Sequence, residues 1–374
     1  MTEISRALEE PIKLHKTHDR LCRNLEDAEV RQTIGRYILE AGSQRIGDKT
    51  LLVVNTSDIT KKYAKKMEYL CEVRDGSEGE IGLGYWMGEV VGAEVLSTEI
   101  TPLAQSVWFQ ESPGFTSEND EILSLMQRVR QKTEGRGVFV IDRGGDRREL
   151  YKELVPKGYR FLIRQRGDRH LLYRGREQET RRLADICKLH YAEKIVREKD
   201  GKETVYIVEF GYLPVCLPEY PKIQLYLVVV KDFGAEPMML LTTEPMRKNR
   251  EVLWWAVSAY VTRWRIEETI RFIKQSYQIE DVRVLTYERL KNLMSLVFAC
   301  FFFAALWLGL KAKLGILSLH VMSAAKCIFG FADFAYYTLA KGIKEILMRF
   351  GKGPLLRKGY QATDQPAQMN LFNF

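Results

Sequence analysis

The stretch GVFVIDRGGDRRELYKELVPKGYRFLIRQ, residues 137–165, decides how this chain is read. GVFVID (137–142) is a short apolar run rich in β-branched residues, the pattern of a buried strand. A polar turn with two glycines follows, then DRRELYKELVPKG with helical character, then the strand-like YRFLIRQ (159–165). Upstream, LLVVN (51–55) is another buried strand, and GYWMGEVVGAEVLSTEITPLA (84–104) reads as two adjoining strands. EILSLMQRVRQKTEG has helical periodicity and a glycine stop. Strands that adjoin and then alternate with helices imply an α/β fold, a mixed sheet with helices packed on it.

Residues 1–45 form a helical N-terminal module, in which HDRLCRNLEDAEVRQTIGRYILEAG has apolar positions at three- and four-residue spacing. From 170 to 245 the runs HLLYRG, TVYIVEFGYLPVCL, IQLYLVVVKDF and PMMLLTTE are strand-like with little helix between them, a β-rich insertion. Helical signal returns with REVLWWAVSAYVTRWRIEETIRFIKQSY and dominates to about 350, before a polar tail. The expected organisation is a module at 1–45, a core in two parts at 46–168 and 248–310, an insertion at 169–247, and a C-terminal helical region with the tail at 311–374.

Lysine plus arginine outnumber aspartate plus glutamate by 57 to 49, giving a net charge of +8 that suits a polyanionic partner such as nucleic acid. The six cysteines are scattered and show no zinc-ligand spacing, as expected of reduced thiols in a cytoplasmic protein. The polar, acidic start of the chain has no apolar run of a signal peptide. Residues 293–310 carry no charge and approach the length of a membrane span. Their charged flanks and interleaved small residues favour a helix buried in a large soluble core, so no membrane is expected.

Three places carry candidate chemistry. NTSDITKK contains Asn55 and Asp58 where a buried strand gives way to polar residues. VFVIDRGGDRREL places Asp142 at the end of an apolar strand, followed by Arg143 and Asp146. A carboxylate at a strand end is held rigidly in a partly open position, although such a residue is also a common turn former or cap. On the helix spanning about 250–276, Tyr260, Arg263, Glu267 and Lys274 fall within an arc of roughly 60° at 100° per residue. That face presents a carboxylate between cations, with a phenol beside them. It suits phosphodiester chemistry, and the alternative is a solvated stripe held by ion pairs.

Together these residues resemble the bacterial DDE transposases of the insertion-sequence-four family. Tyr260, Arg263, Glu267 and Lys274 match that family's Tyr-Arg-Glu-Lys signature at each spacing, and VNTSDI and VIDRGGDR resemble its first and second acidic motifs. The resemblance implies a ribonuclease-H-like mixed sheet core, with a β-rich insertion and helical N- and C-terminal parts. It also implies two Mg²⁺ ions, with Mn²⁺ as a substitute, held at the positions of Asn55, Asp142 and Glu267. Tyr260, Arg263, Lys274 and Arg143 are then expected to contact DNA. The implied partners are double-stranded DNA, the terminal inverted repeats of a transposon, target DNA, and a second copy of the chain as a homodimer in the DNA complex. The implied location is the bacterial cytoplasm, at the nucleoid.

Where the family has its first aspartate, this chain has Asn55. An amide is nearly isosteric but neutral, and hard cations rely on ligand charge, so cut-and-paste transposition is expected to be impaired. Asp58 would take the place of that aspartate only if the chain turned immediately after Asn55, because three residues along a strand reverses the face. The alternative function is a domesticated or inactive transposase that binds DNA without cutting it.

Overall fold

A computed structural model describes residues 2–74, 79–97, 99–199, 202–276 and 279–307. The C-terminal region expected at 311–374 lies outside the described residues. Three helices open the chain: α1 (Thr2–Ala7), α2 (Leu14–Asn24) and α3 (Ala28–Ser43). The helical stretch expected here is broken in the middle, because Asp27 accepts a hydrogen bond from the Glu29 amide at 2.9 Å and so starts α3 as a fresh N-terminus. Gly42 lies inside α3, where a Cβ would come within 2.8 Å of the Pro102 carbonyl oxygen. Its missing side chain lets the helix lie directly on the sheet.

The core follows as β1 (Leu51–Thr60), β2 (Cys71–Arg74), β3 (Ile81–Ala93), β4 (Ile100–Trp108), α4 (Glu118–Lys132), β5 (Val138–Ile141), α5 (Arg148–Leu154) and β6 (Phe161–Arg164). β1 pairs antiparallel with β3 along its whole length, and β3 pairs antiparallel with β4. On its other edge β1 pairs parallel with β5, and β5 with β6. The spatial order β4-β3-β1-β5-β6, three antiparallel strands followed by two parallel ones reached through α4 and α5, is that of a ribonuclease-H-like core.

The β-rich stretch continues this sheet. It consists of β7 (His170–Tyr173), β8 (Arg176–Glu179), α6 (Thr180–Ile186), β9 (Leu189–Lys199), β10 (Lys202–Leu217), β11 (Tyr220–Lys231) and β12 (Met238–Thr242). β12 pairs antiparallel with β6, which joins the insertion to the core in one twelve-stranded sheet. Two long helices close the described chain, α7 (Arg250–Ser276) and α8 (Tyr287–Phe302), the latter running on into a π-helical turn, Phe303–Trp307.

Strand alternation assigns the two faces of the sheet. Leu51, Val53 and Val140 belong to one buried cluster with Leu253, Ala256, Val257 and Tyr260 of α7. Leu52, Val54, Phe139 and Ile141 belong to a second cluster with residues of α4 and α5. By length and composition the helix Tyr287–Trp307 is apolar enough to cross a membrane. In the fold its Leu290, Met294, Phe298 and Phe301 are buried in the α7-side cluster. Asn292, on the same helix, donates from its amide to the Leu25 and Asp27 carbonyls at 2.7 and 2.8 Å, tying the break between α2 and α3 to α8.

Lys61 fixes the end of β1 against the chain that follows α7. Its buried ammonium donates to the Ile279 carbonyl and, at 3.0 Å, to the Val282 carbonyl. Burial pulls its pKa down to about 8 from 10.5, against the opposing pull of Glu280 and Asp281. The folded chain therefore releases this proton near pH 8 while the unfolded chain holds it to about 10.5, so the stability contributed by Lys61 rises across that window. Between pH 7.5 and pH 10 the denaturant midpoint of the parent chain is expected to rise relative to that of Lys61→Met. Equal differences at both values would contradict this account.

Candidate active site

The site forms where β1, β5 and α7 meet. β1 does not end at Asn55 as its sequence suggests, because all ten of its residues pair with β3, from Leu51 opposite Ala93 to Thr60 opposite Gly84. The continuous strand settles the position of Asp58. It lies on the face opposite Asn55, is 4% exposed, and accepts a hydrogen bond from the Thr60 hydroxyl at 2.8 Å. The turn that would bring it into the place of Asn55 is absent.

Asn55 shares the strand face of Leu51 and Val53, which looks onto α7. On the neighbouring strand, two residues beyond the pair Val53 and Val140, Asp142 falls on that same face. Asp142 caps the 3₁₀ turn Arg143–Gly145, its Oδ1 accepting from the Gly144 amide at 2.7 Å. The cap uses one oxygen. Among the described residues the other has no hydrogen-bond donor, and Arg143 beside it is exposed. The aspartate is thus both a turn former and a half-buried carboxylate at a strand end.

From α7, Arg263 and Glu267 meet as an ion pair one helical turn apart, Nη1 to Oε1, 2.8 Å. Arg263 is 3% exposed, whereas the Glu267 side chain is 48% exposed. The guanidinium stands 5.2 Å from the centre of the Tyr260 ring, and Arg164 of β6 lies 5.6 Å from the same ring. Trp264 meets that ring edge-on at 5.6 Å and stacks on Phe233 at 5.0 Å. Burial works to lower the Arg263 pKa, but the charges of Tyr260, Glu267 and Asp142 outweigh it and hold the group above its ordinary value. The guanidinium therefore feels the carboxylates of both α7 and β5. Its buried Nε has no hydrogen-bond partner among the described residues.

Of the sequence-derived residues, the fold brings Asn55, Asp142, Tyr260, Arg263 and Glu267 to one place. Tyr260 is 1% exposed, so neither it nor Arg263 presents its polar group at an open surface. Lys274 lies within α7, and its side chain is outside the described residues. Asp146 is part of the scaffold: its buried carboxylate pairs with Arg169 and accepts from the Arg166 amide at 2.9 Å. Arg166 and Arg169, in the basic stretch RQRGDRH (164–170), are thus partly committed to holding the turn after β5. Arg250, at the end of the basic stretch MRKNR (246–250), pairs with Glu193.

Glu89 was not singled out by the sequence. It lies on β3 directly across from Asn55, is 2% exposed, and accepts from the Gln105 amide at 3.2 Å. Its only signal was one acid within the apolar run GYWMGEVVGA.

Among the described residues, no three His, Cys, Asp or Glu side chains gather as a metal-binding group. The donor set nevertheless suits a cation, because two carboxylates already share one buried positive charge, that of Arg263. Asn55 brings an oxygen to this set but no charge.

A family model described as "Transposase DDE domain" matches residues 97–303. No curated protein matches the chain. Among solved structures, the chain is similar to the piggyBac transposase in its synaptic complex with hairpin DNA, at 11% identity over 82% of this chain and 55% of that one, with a TM-score of 0.41. It is also similar to the NurA nuclease from Sulfolobus solfataricus, at 8% identity over 84% of this chain and 98% of that one, with a TM-score of 0.27. The chain spans about half, 55%, of the piggyBac chain.

The two aspartates of the turn after β5 should separate in their effects. Asp146→Ala strands the Arg169 charge beside a buried site and is expected to cost about 3 kcal/mol of stability. Asp142→Asn keeps a capping oxygen and is expected to cost under about 1 kcal/mol. Urea denaturation of both variants checks this, and equal losses would contradict the division of roles.

Proposed function

The chain belongs to the transposase DDE domain family, and on that premise we propose that it is a DNA transposase of cut-and-paste type whose strand-cleaving site is built on Asn55, Asp142 and Glu267. The observation that carries this reading is the buried Arg263, which pairs with Glu267 on α7 and feels the charge of Asp142 at the end of β5. A solvated ion-pair stripe would leave such an arginine in water.

Asn55, Asp142 and Glu267 would hold the metal, taken to be two Mg²⁺ ions with Mn²⁺ as substitute. A metal held there would supply activation of a water or 3′-hydroxyl oxygen and charge stabilisation of the leaving oxygen in a phosphodiester displacement. The chain's own groups do the rest. Asp142 is oriented by its bond from the Gly144 amide. Glu267 is oriented by Arg263, and half of its own side chain is in solvent. Arg143 is exposed at the mouth and suits a phosphate. Lys274 of α7 would add a further cation for the strand, while Tyr260 and Arg263, expected to contact DNA, are buried and back that face of the helix. Double-stranded DNA, the inverted repeats of an element, target DNA and a homodimeric DNA complex in the bacterial cytoplasm, at the nucleoid, belong to this reading.

Asn55 removes one of three negative charges, and cleavage is accordingly impaired in this chain. The same residue favours the second reading, a DNA-binding descendant that no longer cuts. Asn55→Asp separates the two. Mg²⁺-dependent cleavage of the element's DNA end is expected to rise by at least about 100-fold, the upper range for a changed metal environment. Adding Asp142→Asn or Glu267→Gln should return it to background. DNA binding without any gain of cleavage in Asn55→Asp would overturn the transposase reading in favour of the binding protein.

A further inference from the structure

We propose that the cavity between α3, β4 and α8 is a phosphate-binding site. It measures about 350 Å³ and lies where α3 rests on β4, closed by α4, α8 and the turn at 112–115.

Its charge suits an anion. Among the described residues Arg31, Arg36, Arg128 and Lys291 line the cavity, against the carboxylate of Glu121. Arg31 and Lys291 share Glu288, which stands 2.7 Å from the Arg31 guanidinium. Glu121 accepts from the Ser106 hydroxyl at 3.1 Å. Arg36 and Arg128, arriving on different helices, have neither an ion pair nor a hydrogen bond among the described residues. Both reach solvent, and the protein around Arg128 lowers its pKa by desolvation, against the opposing pull of Glu121. Two guanidiniums lining one hollow match the oxygens of a phosphate, which accept from such N–H forks in pairs.

The same hollow is kept open by a glycine. Gly35 lies in the interior of α3, where glycine is less favourable than any residue except proline. No neighbour requires it, because an added Cβ would meet no atom within 4 Å, whereas Gly42 on the same helix is pressed against Pro102. Arg31, Gly35 and Leu39 recur at every fourth residue and so share one face of α3, and all three line the cavity. The missing side chain at 35 leaves the middle of that face free for a ligand.

Position indicates where the phosphate comes from. Gln105, in the cavity wall, is the ladder partner of Glu89, which is the partner of Asn55. Two strand spacings, roughly 10 Å, therefore separate the wall from the candidate active site. A duplex held at one reaches the other. Resting on the reading above of a chain that acts on DNA, the phosphate is one of the duplex backbone.

The test uses the full chain and two probes, a DNA duplex of arbitrary sequence and inorganic phosphate alone. Arg36→Gln combined with Arg128→Gln removes two cations, and Gly35→Phe keeps every cation but fills the hollow. Duplex affinity is expected to fall in both variants, with the slope of log affinity against log salt shallower by about 1, the loss of one phosphate contact. Broadening of the phosphorus-31 resonance of inorganic phosphate is expected with the parent chain and lost with both variants. A shallower slope in both variants assigns the site to the DNA backbone. Unchanged slopes, with broadening that only the parent chain produces, assign it to a small phosphorylated molecule. A slope that moves with the arginines but not with Gly35→Phe places the contact outside the cavity and overturns the proposal, as do unchanged slopes with unchanged broadening. Melting temperatures report whether each variant folds, and the single arginine variants replace the double one if it does not.

The outcome is separable from that of the transposase reading. If Asn55→Asp cuts DNA and neither probe responds to the cavity variants, only the phosphate site falls. If the slopes move and Asn55→Asp never cuts, only the transposase reading falls.

Discussion

A guanidinium taken out of water must be met by negative charge, because the desolvation of an ion is repaid only by close counter-charges and satisfied hydrogen bonds. Arg263 is 3% exposed, pairs with Glu267 one turn along its own helix, and feels the charge of Asp142 at the end of β5. This constraint aligns α7 on the sheet. A helix rotated by one residue, about 100°, would carry Arg263 away from Asp142 and leave the arginine buried against apolar strands. The apolar residues of α7 attach the helix to the sheet, and the charged residues fix its rotation.

The rest of the core makes that meeting possible. β1 lies between its antiparallel partner β3 and its parallel partner β5, so side chains from three strands line up under one helix. Lys61 pins the far end of β1 to the chain that leaves α7. Asp146 and Arg169 hold the turn after β5, leaving Asp142 as the carboxylate of that turn that faces the helix. The Transposase DDE domain match extends over β4 to α8, and the Asn55 strand lies upstream of it, before β2 and β3.

Much of this was legible in the chain itself. The alternation of strands and helices around residues 137–165 stated the α/β core, and the periodicity of 250–276 placed Tyr260, Arg263 and Glu267 on one helical face. Other features depend on pairing at a distance, which local pattern does not carry. The run after Asn55 is polar enough to suggest that the strand stops, but β3 supplies a partner for every residue to Thr60, and this puts Asp58 on the opposite face. Burial of Tyr260 and Arg263 was equally hidden, since a helical arc shows which residues are together and not whether water reaches them. Glu89 was invisible for the same reason: its neighbour Asn55 is 34 residues away in sequence (89 − 55) and one strand away in space.

The account depends on Arg263 occupying the place of a cation that the carboxylates are built to share. A crystal structure of the DNA-free protein grown with Mn²⁺, with anomalous differences recorded at the manganese edge, tests this most directly. The account predicts an anomalous peak bounded by Asn55, Asp142 and Glu267, with the Arg263 guanidinium withdrawn from Glu267. A manganese peak elsewhere, with the ion pair of Arg263 and Glu267 intact and no density at these three residues, would contradict it.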